Sequence, residues 1–222
     1  MSKRQTGLAI LGACLLACSI GLAADPGVAD PVQGQAAAAV CASCHQADGS
    51  GMNIPGAESW PRLAGLDATY LAKQIEDFKS GQRSSPTMQA FAQMLTDEQI
   101  PHVAAWFASL PAPSLSSAEP YSPELLERGR LLATEGDWDN YLVPCSSCHG
   151  PDNLGAGSVF PAIAGQHPAY IRDQLLNWQQ GSRQNDPQQL MATVAARMSA
   201  DDIQAVAAWL STQPGTPEQK PE

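Results

Sequence analysis

The chain has 222 residues with 22 Asp and Glu against 12 Lys and Arg, and its formal charge of −10 argues against nucleic acid or an anionic membrane surface as principal partner. Hydrophobic residues make up 44% and charged residues 15%, enough apolar material to bury a core in one large domain or two small ones. The only long apolar run, Leu8 to Leu22, lies at the N-terminus, which excludes multispan membrane proteins.

Lys3 and Arg4 precede that run, and Gly21 to Ala24 supply small residues before Asp25-Pro26. The pattern predicts a secretory signal peptide over 1–23 and a periplasmic location. Leu15-Leu16-Ala17-Cys18 gives a second reading as a lipobox, in which Cys18 carries lipid and the protein is membrane-associated. Setting aside Cys14 and Cys18 leaves Cys41, Cys44, Cys145 and Cys148. Four exported cysteines can form two disulfides, but their spacing points elsewhere.

The chain repeats itself. Cys41-Ala-Ser-Cys-His45 returns as Cys145-Ser-Ser-Cys-His149, and Trp60-Pro-Arg-Leu-Ala-Gly65 as Phe160-Pro-Ala-Ile-Ala-Gly165. Tyr70, Gln74, Gly81 and Arg83 match Tyr170, Gln174, Gly181 and Arg183. Met88 matches Met191, and Ile100 with Trp106 matches Ile203 with Trp209. Such self-similarity marks a duplicated domain.

Each copy reads as helical from start to end. Asp30-Pro31 and Ser122-Pro123 are N-caps followed by proline at the first helical position. Leu71, Ile75 and Phe78 keep helical spacing, as do Ile171, Leu175 and Trp178. Thr96 to Gln99 and Ser199 to Asp202 resemble capping boxes, each opening a final apolar stripe. Pro101 is a blemish there, since it lacks a backbone donor. No stretch alternates with strand period. The Pro/Ser-rich segment 111–121 predicts a linker, and the polar tail 213–222 predicts disorder.

Cys-x-x-Cys-His is the attachment signature of c-type haem. Two thiols three positions apart can each form a thioether to a haem vinyl group, and the adjacent histidine then becomes the iron ligand. Two copies therefore imply two covalently bound haem c groups, with His45 and His149 as proximal ligands. A shared four-cysteine zinc site is the rival, but it leaves both histidines unexplained. The sixth ligands are expected at Met88 and Met191, since no other methionines occupy equivalent positions. His102 faces Ala205 in the comparison and His167 faces Asp67, so both read as surface or capping residues.

With these motifs the chain resembles the dihaem cytochrome c4 family over nearly all of its mature length, from about Gly34 to Leu210. The resemblance implies an all-α fold of two tandem class I cytochrome c domains, 24–110 and 122–212. It further implies that the carbonyls of Pro61 and Pro161 accept the imidazole protons of the proximal histidines. Four extra residues separate His45 from Pro61 relative to the second copy. Arg83 and Arg183 have two readings: contacts to haem propionates, or solvated arginines at a helix end.

The resemblance implies a periplasmic electron carrier that takes electrons from a quinol-oxidising complex or periplasmic dehydrogenase and passes them to a terminal oxidase. Six-coordinate iron would leave no place for a substrate, so no enzymatic activity is expected. The alternatives are a cytochrome subunit of a dehydrogenase complex, and a dihaem enzyme acting on peroxide or thiosulfate.

Overall fold

The computed structural model describes residues 29–113 and 120–216, so the expected signal peptide and Cys18 lie outside the described residues, as do 114–119 of the linker and 217–222 of the tail. The first copy contains α1 (Pro31–Ala37), α2 (Ala42–His45), α3 (Ala68–Ser80), α4 (Pro86–Met94) and α5 (Gln99–Ser109). The second contains α6 (Pro123–Thr134), α7 (Ser146–His149), α8 (Pro168–Gln179), α9 (Leu190–Ala195) and α10 (Ala200–Thr212). Among the described residues there are no strands, only isolated bridges.

Local chemistry sets the helix starts. The Asp30 carboxylate accepts from the Val32 N–H, and the Ser122 hydroxyl accepts from the Leu125 N–H, each ahead of a proline. Ser199 and Asp202 exchange hydrogen bonds as a capping box. Thr96 and Gln99 do the same, at 3.3 and 3.0 Å. Pro101 does not interrupt the helix: it sits in the first turn of α5, which runs on to Ser109.

In each copy the first helix crosses the last, and a glycine makes the crossing. A Cβ on Gly34 would fall 1.9 Å from the His102 carbonyl oxygen, and one on Gly129 would fall 2.1 Å from that of Ala205. Only glycine permits backbones this close. Behind the crossings, Leu71, Leu95, Ile100, Val103 and Phe107 form one core, and Leu132, Ile171, Leu175, Ile203, Val206 and Leu210 the other. Each such side chain, fully buried, contributes about 1.5–3 kcal/mol. His102 is not an ordinary surface residue: its Nδ1 accepts from the Asp30 N–H at 2.8 Å and ties α5 to the cap of α1.

The copies differ most just before their cysteine motifs. Cys145 stands sixteen positions after Gly129, whereas Cys41 stands only seven after Gly34. The additional segment forms a small turn closed by the Asp137–Leu142 bridge, with Trp138 and Tyr141 exposed on it.

Candidate functional site

The Cys-x-x-Cys-His motifs fold as single helical turns, α2 and α7, each starting after its first cysteine. The i to i+4 bond from the Cys41 carbonyl to the His45 N–H recurs between Cys145 and His149, at 2.9 Å in both. All four thiols are unpaired. Burial pushes the Cys41 thiol up, and it pushes Cys145 up to about 11. Among the described residues no group of three or more His, Cys, Asp or Glu is gathered so as to hold a metal ion.

Both histidines are buried and oriented. The Nδ1–H of His45 donates to the Pro61 carbonyl at 2.9 Å, and that of His149 donates to Pro161 at 2.7 Å. A carbonyl only accepts, so Nδ1 carries the proton and Nε2 keeps its lone pair in the neutral ring. Burial holds both imidazoles below the usual histidine pKa, which favours that neutral form. The four extra residues of the first copy do not displace Pro61. The segment bulges outward at Pro55 to Glu58, and the buried Ser59 hydroxyl accepts from the Ile54 N–H at 2.8 Å to close the loop.

Both motifs open into one cavity of about 1170 Å3, lined by the two histidines, all four cysteines, Met88 and Met191. That exceeds the ~300–1,000 Å3 typical of a single small-molecule pocket. Apolar side chains such as Leu71, Phe78, Phe107, Ile171 and Leu210 form its walls. Met88 lies in α4, where its N–H donates to the capping Ser85 hydroxyl. Met191 lies near the start of α9, behind Gln188 and Gln189, which both adopt φ 58. Met198 also borders the cavity but packs in the core, whereas Met52 and Met94 are exposed.

Where the copies meet, the cavity is bordered by a buried polar cluster. Arg83 and Arg183 pair as an antiparallel bridge, and neither is a solvated helix-end residue: each is 6% exposed. Gly81 (φ 80) ends α3 in a left-handed turn and directs the chain into this contact. The Arg83 guanidinium lies 4.5 Å from the Phe78 ring centre, and that of Arg183 lies 4.0 Å from the Trp178 ring centre. Arg83 donates to Gln74, Gln174 and the Tyr170 hydroxyl, and Arg183 donates to Gln174, Gln74 and Asn185. Asp77, the carboxylate of this cluster, is engaged by Lys73 and Asn185. Burial pushes the Tyr170 phenol up, but the two arginine charges outweigh it and lower its pKa. Burial and the charge of Arg83 lower that of Arg183. The cluster thus holds more positive than negative charge.

A second contact joins the copies through Arg62, whose side chain is fully buried. Its guanidinium donates to the carbonyls of Ala64, Ala164 and Gly165. Desolvation lowers its pKa to about 10. His167 is neither a surface residue nor a side-chain cap. It is buried, and its Nε2–H donates to the Ser50 carbonyl of the other copy at 2.8 Å. Sequence comparison paired Arg62 with Ala162 and so gave no sign of this contact.

The family model for cytochrome c matches residues 31–111 and again 140–214. The thiosulfate dehydrogenase electron acceptor of Stutzerimonas stutzeri (strain A1501) is 45% identical over 176 residues, covering 79% of each chain. Cytochrome c4 of Pseudomonas aeruginosa is 37% identical, covering 82% of this chain and 87% of its own. Among solved structures, reduced recombinant cytochrome c4 from Pseudomonas stutzeri superposes with a TM-score of 0.75 at 32% identity, covering 84% of this chain and all of that one. Thiosulfate dehydrogenase (TsdBA) from Marichromatium purpuratum gives a TM-score of 0.76 at 40% identity over 86% of this chain, which spans only 42% of the dehydrogenase chain.

Proposed function

The chain belongs to the cytochrome c family as a dihaem member of the cytochrome c4 type, and from that premise we propose that it is a periplasmic electron carrier whose donor is a thiosulfate-oxidising dehydrogenase. It carries two covalently bound haem c groups and serves electron transfer between redox proteins. The donor assignment rests on two curated relatives described as thiosulfate dehydrogenase electron acceptors, at 45% and 39% identity. Terminal oxidases are the acceptors that suit such a carrier. Among the described residues no helix is long and apolar enough to cross a membrane.

The observation that carries this reading is the doubled arrangement of one Pro-oriented histidine beside two unpaired thiols, facing one cavity. In it, residues 24–110 and 122–212 are the two haem domains. Cys41, Cys44, Cys145 and Cys148 form the thioethers, and His45 and His149 offer Nε2 to iron. Met88 and Met191 supply the sulfur ligands, so neither site keeps a position for a substrate. When bound, haem supplies a one-electron iron couple. Pro61 and Pro161 fix the histidine tautomer, which also strengthens the imidazole as a ligand. Arg83 and Arg183 receive propionate carboxylates, because the one carboxylate of the cluster, Asp77, is engaged by Lys73 and Asn185 and does not balance two buried guanidiniums.

The test is reduction of the purified dihaem protein by a thiosulfate dehydrogenase, followed by its visible absorption bands. Thiosulfate-dependent reduction only when the dehydrogenase is present is the expected result. Thiosulfate oxidation by the isolated protein with an artificial acceptor would instead make it an enzyme.

A further inference from the structure

The two mouths of the cavity are chemically unlike. Residues that line the cavity and also face solvent mark its rim. In the first copy these include Gly56, Ala57, Glu58, Ser84 and Thr87. That rim is small and polar, and Glu58 closes it by accepting from the Ser85 and Thr87 hydroxyls at 3.3 and 3.1 Å. In the second copy the rim includes Tyr141, Val143, Val159 and Leu190, with exposures of 75, 37, 53 and 44%, beside Pro187, Thr193 and Arg197. Half of the large exposed apolar residues among those described thus gather at one mouth, and Trp138 stands beside them in the additional segment.

The charges differ as well. Glu58 is the exposed charged residue lining the first rim, whereas Arg197 is the one lining the second. The Arg197 guanidinium lies 5.7 Å from the Tyr141 ring centre. On the additional segment Asp137 shares Arg128 with Asp202, at 2.9 and 2.7 Å, and Asp139 is exposed but does not line the cavity. On a chain of net charge −10, an apolar rim whose exposed charged lining residue is a cation is the exception.

We propose that the second mouth docks a redox protein whose contact face is apolar and carries a carboxylate opposite Arg197. The proposal rests on the electron-carrier reading above. An electron-transfer partner must approach the cavity that holds the redox groups, and Tyr141, Val143, Val159 and Leu190 line it while remaining exposed to solvent. Exposed patches of this kind mark interaction sites. Tyrosine and tryptophan are the side chains most often dominant in such contacts. Arg197 selects the sign of the facing charge, and the polar, acidic first mouth repels the same partner. The additional segment before Cys145 is therefore a recognition element that the first copy lacks.

The test uses the dihaem protein as acceptor for a thiosulfate dehydrogenase and, separately, as donor to membranes containing a terminal oxidase. Trp138→Ser combined with Tyr141→Ser, and Arg197→Glu alone, should each raise KM for the carrier about tenfold in at least one of these exchanges, with kcat little changed. Reduction by ascorbate should remain at the unaltered rate, which separates lost docking from a damaged haem site. Val32→Ser, which removes an equally exposed apolar side chain on α1, should change nothing. Unchanged KM in both exchanges for both variants would overturn the docking surface. Failure of the dehydrogenase to reduce the unaltered protein would overturn the donor assignment alone, and the oxidase exchange would still decide the docking.

Discussion

Gln166 holds Arg62 as a neighbouring strand would. Its amide oxygen accepts from the Arg62 N–H at 2.8 Å, and its amide nitrogen donates to the Arg62 carbonyl at 3.0 Å. Both backbone polar groups of one buried residue thus take their partners from the other copy. Gln166→Ala should cost about 2–4 kcal/mol, because the Arg62 N–H and carbonyl and the His167 N–H all lose their partner and alanine offers none. Urea unfolding of the dihaem protein measures this, and a loss under 0.5 kcal/mol, the scale of ordinary surface substitutions, would show that water replaces the amide.

Met88→Ala and Met191→Ala should each convert one haem to a high-spin or ligand-exchanged form of lower potential and leave the other nearly intact. Optical and magnetic spectra report the change directly. Two fully low-spin, methionine-ligated haems in both variants would refute the assignment of the sixth ligands.

Replacing Cys41 and Cys44 together, or Cys145 and Cys148 together, should leave a single covalent haem by mass spectrometry. The affected half should also lose stability, since the group fills much of its apolar centre and binds only the folded form. An intact two-haem mass for either double variant would contradict the proposed attachment.

The arginine pair gives a prediction of a different kind. Arg83 and Arg183 touch across the junction and share Gln74 and Gln174. Removing one buried cation from beside ionised propionates favours the oxidised iron, so Arg183→Met should lower the midpoint potentials. The shift should be on the order of tens of millivolts and should appear in both haems, because buried charges act over several ångströms with little screening. Redox titration separates this from a merely structural role. A shift confined to one haem, or no shift, would place the propionates elsewhere.

What the sequence made legible was chemistry between near neighbours. The Cys-x-x-Cys-His spacing, the proline-flanked caps at Asp30 and Ser122, and the Thr96 and Ser199 boxes are all local, and residue order alone encodes them. The contacts between copies are not local. Arg62 reaches Gly165, and His167 reaches Ser50, across more than 100 positions. Nothing in the residues beside them signals a partner so distant. His167 stands where Asp67 stands in the first copy, and alignment suggested a shared capping role. Asp67 caps with its side chain, but the His167 ring turns to the other domain. The additional segment before Cys145 has no counterpart in the first copy, so no repeated residue marks it, and the matches that follow the cysteine motifs are unaffected by its length.

Arg62 finally bears on the order of the two halves. A duplicated chain could in principle be joined either way round, because each half has its own core and its own cysteine motif. The arginine belongs to the first half alone, and the carbonyls of Ala164 and Gly165 that receive it belong to the second. A circularly permuted chain with the halves exchanged would keep this contact, since the surfaces are unchanged. A chain made of two first halves would bring together two buried guanidiniums, and one made of two second halves would leave the receiving carbonyls empty. The halves have ceased to be interchangeable, and the asymmetry of one side chain makes the molecule a heterodimer written on a single polypeptide.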